Sequence, residues 1–402
     1  MIRSIEGLRG VAALLVALFH AYVYNKWGGF PATSGVLQHA WLFVDLFFVI
    51  SGYVMASAYS DRLDSGRAAF AYMIRRFFRL YPLHIVTTAT ALLAVVGIQT
   101  IKLLLDQQGI KVGSEEPFGF EFFDLRLLGL DVLLLQGVGI IRKEIHNYPS
   151  WSISVEFWLY LMFALLMMAV RPRMGRILAS ALIVVMSVAY FLVYWSTAPE
   201  ALRTLDTRGL PRGMLSFFQG VLIFYFYRWF ADRQGSQLRV PPRTAGSDPA
   251  AAVRVRRAGL LGAAQVAVAV LALYLVGRQH LLGTMQLAIP FVFALLVLLL
   301  LPDRGIVAAL LQTRPMQWLG LHSYSIYLTH ITVLTLVDWP GRAVPEPAKH
   351  LVGLLYLALV FGFSVLTYRY IEAPWRQRGK AIADRVEAGE PFTGQGDPTV
   401  PR

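Results

Sequence analysis

Ile177-Leu-Ala-Ser-Ala-Leu-Ile-Val-Val-Met-Ser-Val-Ala-Tyr-Phe-Leu-Val-Tyr-Trp195 is a run of 19 residues without a charged side chain. A helix of that length rises about 28 Å, close to the hydrocarbon thickness of a bilayer. Directly before it stands Arg171-Pro-Arg-Met-Gly-Arg176, a turn whose only charges are basic. An apolar run entered from a basic turn reads as a membrane span that starts in the cytoplasm. The same alternation extends both ways along the chain. Spans are expected at 8–26, 41–60, 80–102, 152–170, 177–195, 212–230, 259–277, 284–301, 318–337 and 351–371. The fold class expected is therefore all-α: a polytopic membrane protein of about ten helices, with both termini in the cytoplasm.

Composition agrees. Of 402 residues, 56% are hydrophobic and 15% charged, a balance rare in a soluble domain. The net charge of +13 does not point to nucleic acid, because the arginines sit between apolar runs, where they set topology. The chain has no cysteine, which excludes disulfides, a protein-bound acyl thioester and thiolate metal sites. The N-terminal apolar run lacks a small-residue cleavage site and reads as an uncleaved first helix.

Alternate loops differ in charge. Arg62, Arg67, Arg75, Arg76 and Arg79 lie in one, and Arg228 to Arg257 crowd another. These fall on one side with the basic tail if Leu127–Val138, too short to span and interrupted by Asp131, is re-entrant or interfacial. The opposite side holds 27–40, free of Lys and Arg, and the acidic stretch 103–126; Arg142 and Lys143 are the exception. Residues 234–252 read as a cytoplasmic linker. A membrane domain is expected over 1–380, and a disordered cytoplasmic tail over 381–402. The absence of an internal repeat gives no support to a repeat-built transporter.

Ionisable residues inside spans are expensive and usually functional. Arg9 and His20 are 11 residues apart on the first helix, hence on nearly one face and about 16 Å apart along the axis. By helix arithmetic His20, Asp45, Glu156 and His330 all fall in the same outer layer. Two imidazoles and two carboxylates at one depth can make an acid/base site; they can also be pairings that stitch helices together. On the inner side, Arg76 and Arg79 stand three residues apart, side by side if helical, and could clamp a phosphate. By composition alone they read as a topology anchor. Walker A, dinucleotide-glycine, Gly-x-Ser-x-Gly and His-Glu-x-x-His patterns are absent, so no metal site is expected.

Several segments, in order, carry a resemblance. They are Ile5-Glu-Gly-Leu-Arg-Gly10 running to Phe19-His20, Val44-Asp-Leu-Phe-Phe-Val-Ile-Ser-Gly52, Arg75-Arg-Phe-Phe-Arg-Leu-Tyr-Pro82, Pro149-Ser-Trp-Ser-Ile-Ser-Val-Glu156, Ser323-Tyr-Ser-Ile-Tyr-Leu-Thr-His330 and Tyr368-Arg-Tyr-Ile-Glu-Ala-Pro374. With them the chain resembles the integral-membrane acyltransferase-3 family, which includes O-antigen, exopolysaccharide and macrolide O-acylases. Where family members often carry Asp, Trp and a second acid, this chain has Glu6, Thr329 and Phe157. No esterase-like domain is expected after the last helix. The resemblance implies a bacterial-type inner-membrane enzyme that takes acyl, usually acetyl, from cytoplasmic acyl-CoA as co-substrate, with no bound cofactor. The acceptor implied is a hydroxyl of a glycan, glycolipid or macrolide-like molecule. It implies that Arg9 and His20 are essential, that the Arg76/Arg79 pair matters and that Glu156 belongs to the site. The residues themselves are then read as His20 and Glu156 for the catalytic pair, with Asp45 and His330 in support, Arg9, Arg76 and Arg79 on the donor, and Trp151, Ser154 and Tyr327 on the acceptor side. Glu156 is expected to orient the His20 imidazole. The rival readings are a glycolipid or polysaccharide flippase, a proton-coupled transporter with the buried groups as a relay, and a membrane scaffold.

Overall fold

A computed structural model describes residues 2–25, 34–109, 124–139, 147–197, 209–234, 249–342, 344–345 and 348–390. The polytopic all-α expectation holds, and no strand occurs among the described residues. In chain order the helices are α1 (Arg3–Asn25), α2 (Gly35–Gln38), α3 (Phe43–Tyr59), α4 (Gly66–Gln107), α5 (Leu125–Val132), α6 (Trp151–Ala169) and α7 (Arg173–Thr197). They continue with α8 (Gly209–Gln234), α9 (Pro249–Gly277), α10 (Ala288–Leu300), α11 (Ile306–Leu311), α12 (Arg314–Arg342), α13 (Lys349–Thr367) and α14 (Ala373–Ala388).

Eight segments among the described residues are long and apolar enough to cross a membrane. The two remaining expected spans, 212–230 and 318–337, fall on α8 and α12, with 26 and 29 residues. Length suffices, at about 39 and 44 Å, but both helices carry polar side chains. Arg212, Ser216 and Gln219 on α8, and Ser323, Ser325, Thr329 and His330 on α12, are buried. Outside the bundle the polarity inverts. Leu178, Leu182 and Val185 of α7, Val270 and Tyr274 of α9, and Leu351 and Leu354 of α13 are exposed, as a lipid-facing surface requires.

The central helices approach closely because glycines face one another. A Cβ on Gly10 of α1 would strike the α12 backbone at Gly320, and one on Gly52 of α3 would strike the Phe217 carbonyl of α8. Small residues are the usual means of tight helix packing in lipid. Leu127–Val138 does not span: α5 has eight residues, about 12 Å, and ends where Leu134 turns left-handed at φ 55°. The Asp131 carbonyl accepts from His84 Nε2 at 2.9 Å, and the Leu134 carbonyl accepts from Ser154 Oγ at 2.6 Å and Trp158 Nε1 at 2.8 Å. The segment is thus tied into the bundle by its own carbonyls.

Two boundaries differ from the sequence expectation. The third span was expected over 80–102, yet α4 is 42 residues long, about 63 Å. Its first half extends past any bilayer and carries Arg75, Arg76 and Arg79 on the helix itself. Helix α14 lies along that extension and runs to Ala388, past the boundary at 380. Arg75 fixes it, reaching Asp384 at 2.7 Å and Glu387 at 2.6 Å, while Gly379 lies against Phe78. Most of the expected linker at 234–252, and the tail from 391, lie outside the described residues.

The start of α1 is capped from afar. Asp303, in the turn after α10, accepts from the backbone N–H of Ser4 at 2.8 Å and of Arg3 at 3.3 Å. Burial pushes its carboxyl up, but these donors, the Ser4 hydroxyl and the Gln312 amide outweigh it and hold the group below the ordinary aspartate value of about 3.8. The stability it contributes is therefore full above pH ~4 and is lost as pH falls through the lower folded value. Asp303→Ala should cost about 1–2 kcal/mol, as cap removals do, read as a lower melting temperature in detergent at pH 7. The variant and the native protein should converge as the pH drops below 4; equal melting temperatures at pH 7 would refute the cap.

Candidate active site

Depth along a helix follows from sequence; direction around it does not. The four residues expected in one outer layer are in fact separated into three places.

His20 of α1 and His330 of α12 meet. His330 Nε2 lies 3.2 Å from His20 Nδ1, with ring centroids 4.9 Å apart. Both rings are buried. His20 Nδ1 is 2.9 Å from the Val16 carbonyl, and His330 Nδ1 is 3.3 Å from that of Ile326. One tautomer set satisfies all three distances: each ring carries its proton on Nδ1, and His330 Nε2 accepts from His20. The lone pair of His20 is then on Nε2, the nitrogen a base would use. Tyr148, from the turn ahead of α6, stands edge-on to His20 at 5.8 Å.

Glu156 is elsewhere. Its Oε1 accepts from Ser51 Oγ at 2.7 Å and from Tyr160 Oη at 2.5 Å. These groups line a cavity of about 240 Å³ that also receives Glu6, Arg9, Arg76, Arg79 and Arg376. Glu156 therefore belongs to the electrostatic environment of Arg9, and the expected orientation of His20 by Glu156 is replaced by the His20–His330 contact. At the other end the cavity reaches Phe47, Ser152 and Tyr327. The Tyr327 ring is 5.6 Å from Phe47 and 5.9 Å from His330, so a single aromatic ring separates the cavity from the histidine pair.

Asp45 is engaged in a third place. Both carboxylate oxygens accept from Arg212 of α8, at 2.8 and 2.9 Å, and Ser216 adds a contact at 3.2 Å. Trp41 and Trp151 lie over the guanidinium at 4.7 and 5.4 Å. Asp45 and Arg212 are both buried.

The arginine pair is helical, as the clamp requires, but its members differ. Arg79 is ion-paired to Glu372, which also accepts from Ser325 at 2.8 Å. Arg76 meets tyrosines instead: Tyr59, Tyr72 and Tyr160 lie 5.4 to 5.8 Å from its guanidinium, and Tyr59 Oη accepts at 3.2 Å. Arg76 has no carboxylate partner among the described residues, so its charge is available to a ligand. Of the acceptor-side residues, only Tyr327 lines the cavity, hydrogen-bonded to Ser152 at 2.8 Å. Trp151 packs on Phe48 at 6.2 Å and on Arg212. Ser154 is taken up by the loop after α5. No group of three or more potential metal ligands occurs among the described residues.

Sequence reasoning missed Arg212, Glu372, Tyr148, Ser51 and Tyr160. Arg212 left a signal, a lone charge at the head of an apolar run. Ser51 and Tyr160 left none, since their types are common in any span.

The family described as an acyltransferase domain matches residues 2–369. A Komagataeibacter xylinus protein, provisionally named membrane-bound transacylase BcsY, is 27% identical over 385 residues, covering 92% of this chain and 82% of that one. A Staphylococcus aureus (strain COL) protein, provisionally named O-acetyltransferase SACOL0978, is 24% identical over 413 residues, 94% of this chain. This chain spans only 58% of that protein's length. A segment of 86 residues, 21% of this chain and 41% of its relative, is 42% identical to protein 2 in the picA locus of Rhizobium radiobacter. No solved structure matches. With nearly its whole length matched, and a helical bundle that places polar side chains within and apolar ones without, the chain belongs to the integral-membrane acyltransferase-3 family.

Proposed function

We propose that this membrane acyltransferase moves an acyl group, acetyl in the first instance, from cytoplasmic acyl-CoA to a hydroxyl of a glycan, glycolipid or related acceptor in a bacterial inner membrane. The observation that carries this reading is the cavity that runs from Arg9 and Arg76 to Tyr327, directly below the histidine pair. A donor with an anionic head and a long arm suits it. The head rests at the guanidiniums, which bind phosphate oxygens bidentately. The arm, with its amides, passes Ser51, Tyr160 and Glu156. The thioester then comes to lie near Tyr327.

The acceptor hydroxyl is placed at the histidine pair. His20 Nε2 takes its proton as the oxygen attacks the thioester carbonyl, and the C–S bond breaks. The proton leaves with sulfur as the CoA thiol. His330 accepts from His20 Nδ1–H and so holds the base in its working tautomer. The chemistry needs no protein thiol, in keeping with a chain that has no cysteine.

Purified protein in liposomes, given acetyl-CoA on the Arg-rich side and a membrane glycan extract on the other, should release CoA thiol only when both are present. Mass spectrometry should find the extract acetylated. Translocation of unmodified glycan with no thiol release would overturn the proposal in favour of a flippase.

A further inference from the structure

A second cavity of about 500 Å³ adjoins the first and shares Arg76, Arg79 and Arg376 with it. One wall is the extended part of α4; the other is α14. Arg376, Lys380, Asp384 and Glu387 recur at spacings of four, four and three along α14, which puts them on one face. All four line this cavity.

The charges on that face are not evenly engaged. Asp384 and Glu387, at the far end, are both committed to Arg75, at 2.7 and 2.6 Å. Arg376 and Lys380, at the end that meets the first cavity, have no carboxylate partner among the described residues. Arg376 rests over the Tyr368 ring at 6.0 Å. Across from them stands Arg76, also without a carboxylate. The acids thus pin α14 in place through Arg75 and leave the cations to face the entrance.

We propose that this vestibule binds the phosphorylated nucleoside end of the donor, with Arg376 and Lys380 of α14 closing on its phosphates opposite Arg76. Three cations that converge on a space open to water, with their local acids already engaged, suit a polyanion better than a single charge. This inference rests on acyl-CoA being the donor, but assigns binding groups beyond the arginine pair of α4.

The test uses the full chain in nanodiscs of zwitterionic lipid, which removes anionic headgroups as competitors. Binding of CoA and of 3′-dephospho-CoA is measured by calorimetry. The native protein should prefer CoA. Arg376→Gln and Lys380→Gln should each lose about tenfold in CoA affinity, with a smaller loss for the dephosphorylated compound, so that the preference narrows. Both side chains are exposed, and unchanged melting temperatures would show that the variants fold. Arg75→Gln, which frees α14 and removes a further cation from the wall of the same cavity, should also weaken CoA binding. Native affinity for CoA in a folded Arg376→Gln/Lys380→Gln double variant overturns the vestibule and leaves the donor reading standing. Binding of neither compound by the native protein overturns both. A difference in CoA affinity between the native protein and the double variant that appears only in anionic lipid, and not in zwitterionic nanodiscs, would assign the cations to lipid headgroups and also overturn the proposal.

Discussion

His20→Ala is expected to lower turnover by about 10²- to 10⁴-fold, the contribution a positioned general base makes, while CoA affinity stays within about twofold. The separation follows from position. The groups that would hold the donor, Arg9, Arg76 and Arg79, line the cavity, whereas His20 lies beyond Tyr327, in contact with His330. Truncating the imidazole removes the base and leaves the donor-binding surface intact. His330 acts through its neighbour, so its variants should grade by hydrogen bonding. His330→Gln keeps an acceptor for His20 Nδ1–H and should retain more turnover than His330→Ala. A purely structural histidine would show no such order once stability is matched. The measurement is CoA release in liposomes, with binding followed separately. Near-normal turnover by a well-folded His20→Ala protein would remove the mechanism.

How much of this was legible beforehand can be read from particular residues. The spans were legible because lipid demands long uncharged runs, and α6, α7, α9 and α10 fall where hydropathy placed them. The basic extension of α4 was not, because hydropathy ends a span where charge begins, while a helix continues as long as its backbone is satisfied. Arg75 and α14 supply the packing that sustains it. At the site, the similar depths of His20 and His330 were legible from rise per residue; their direct contact was not, since Glu156 was expected beside His20. The partner of Glu156 was not. Its neighbours Ser51 and Tyr160 lie on α3 and on its own helix; Tyr160 is one turn on, but only the azimuth of two packed helices decides that Ser51 meets Glu156. Helical spacing put Arg76 and Arg79 together, but gave no hint that Glu372 neutralises one and tyrosines surround the other.

Arg212→Met should be among the most destabilising single changes in the bundle, at about 3–5 kcal/mol. The substitution removes the partner of Asp45 and leaves a carboxylate buried beside Trp41 and Trp151 with only Ser216 at 3.2 Å. An unpaired buried charge costs more than the pair itself contributes, because desolvation of the survivor is no longer offset. Asp45→Leu should be severe for the mirror reason, stranding a guanidinium among aromatic rings. The double variant Asp45→Leu/Arg212→Met removes both charges and replaces them with apolar volume, so its melting temperature should recover most of the loss. Strong non-additivity is therefore the expected signature, measured as a thermal double-mutant cycle in detergent. The same cycle decides whether Asp45 has a role in the chemistry. If the ion pair only joins α3 to α8, turnover should recover with stability in the double variant. If the Asp45 carboxylate serves the reaction, stability should return and turnover should not. Additive melting losses would contradict the buried pair itself, whatever the activity.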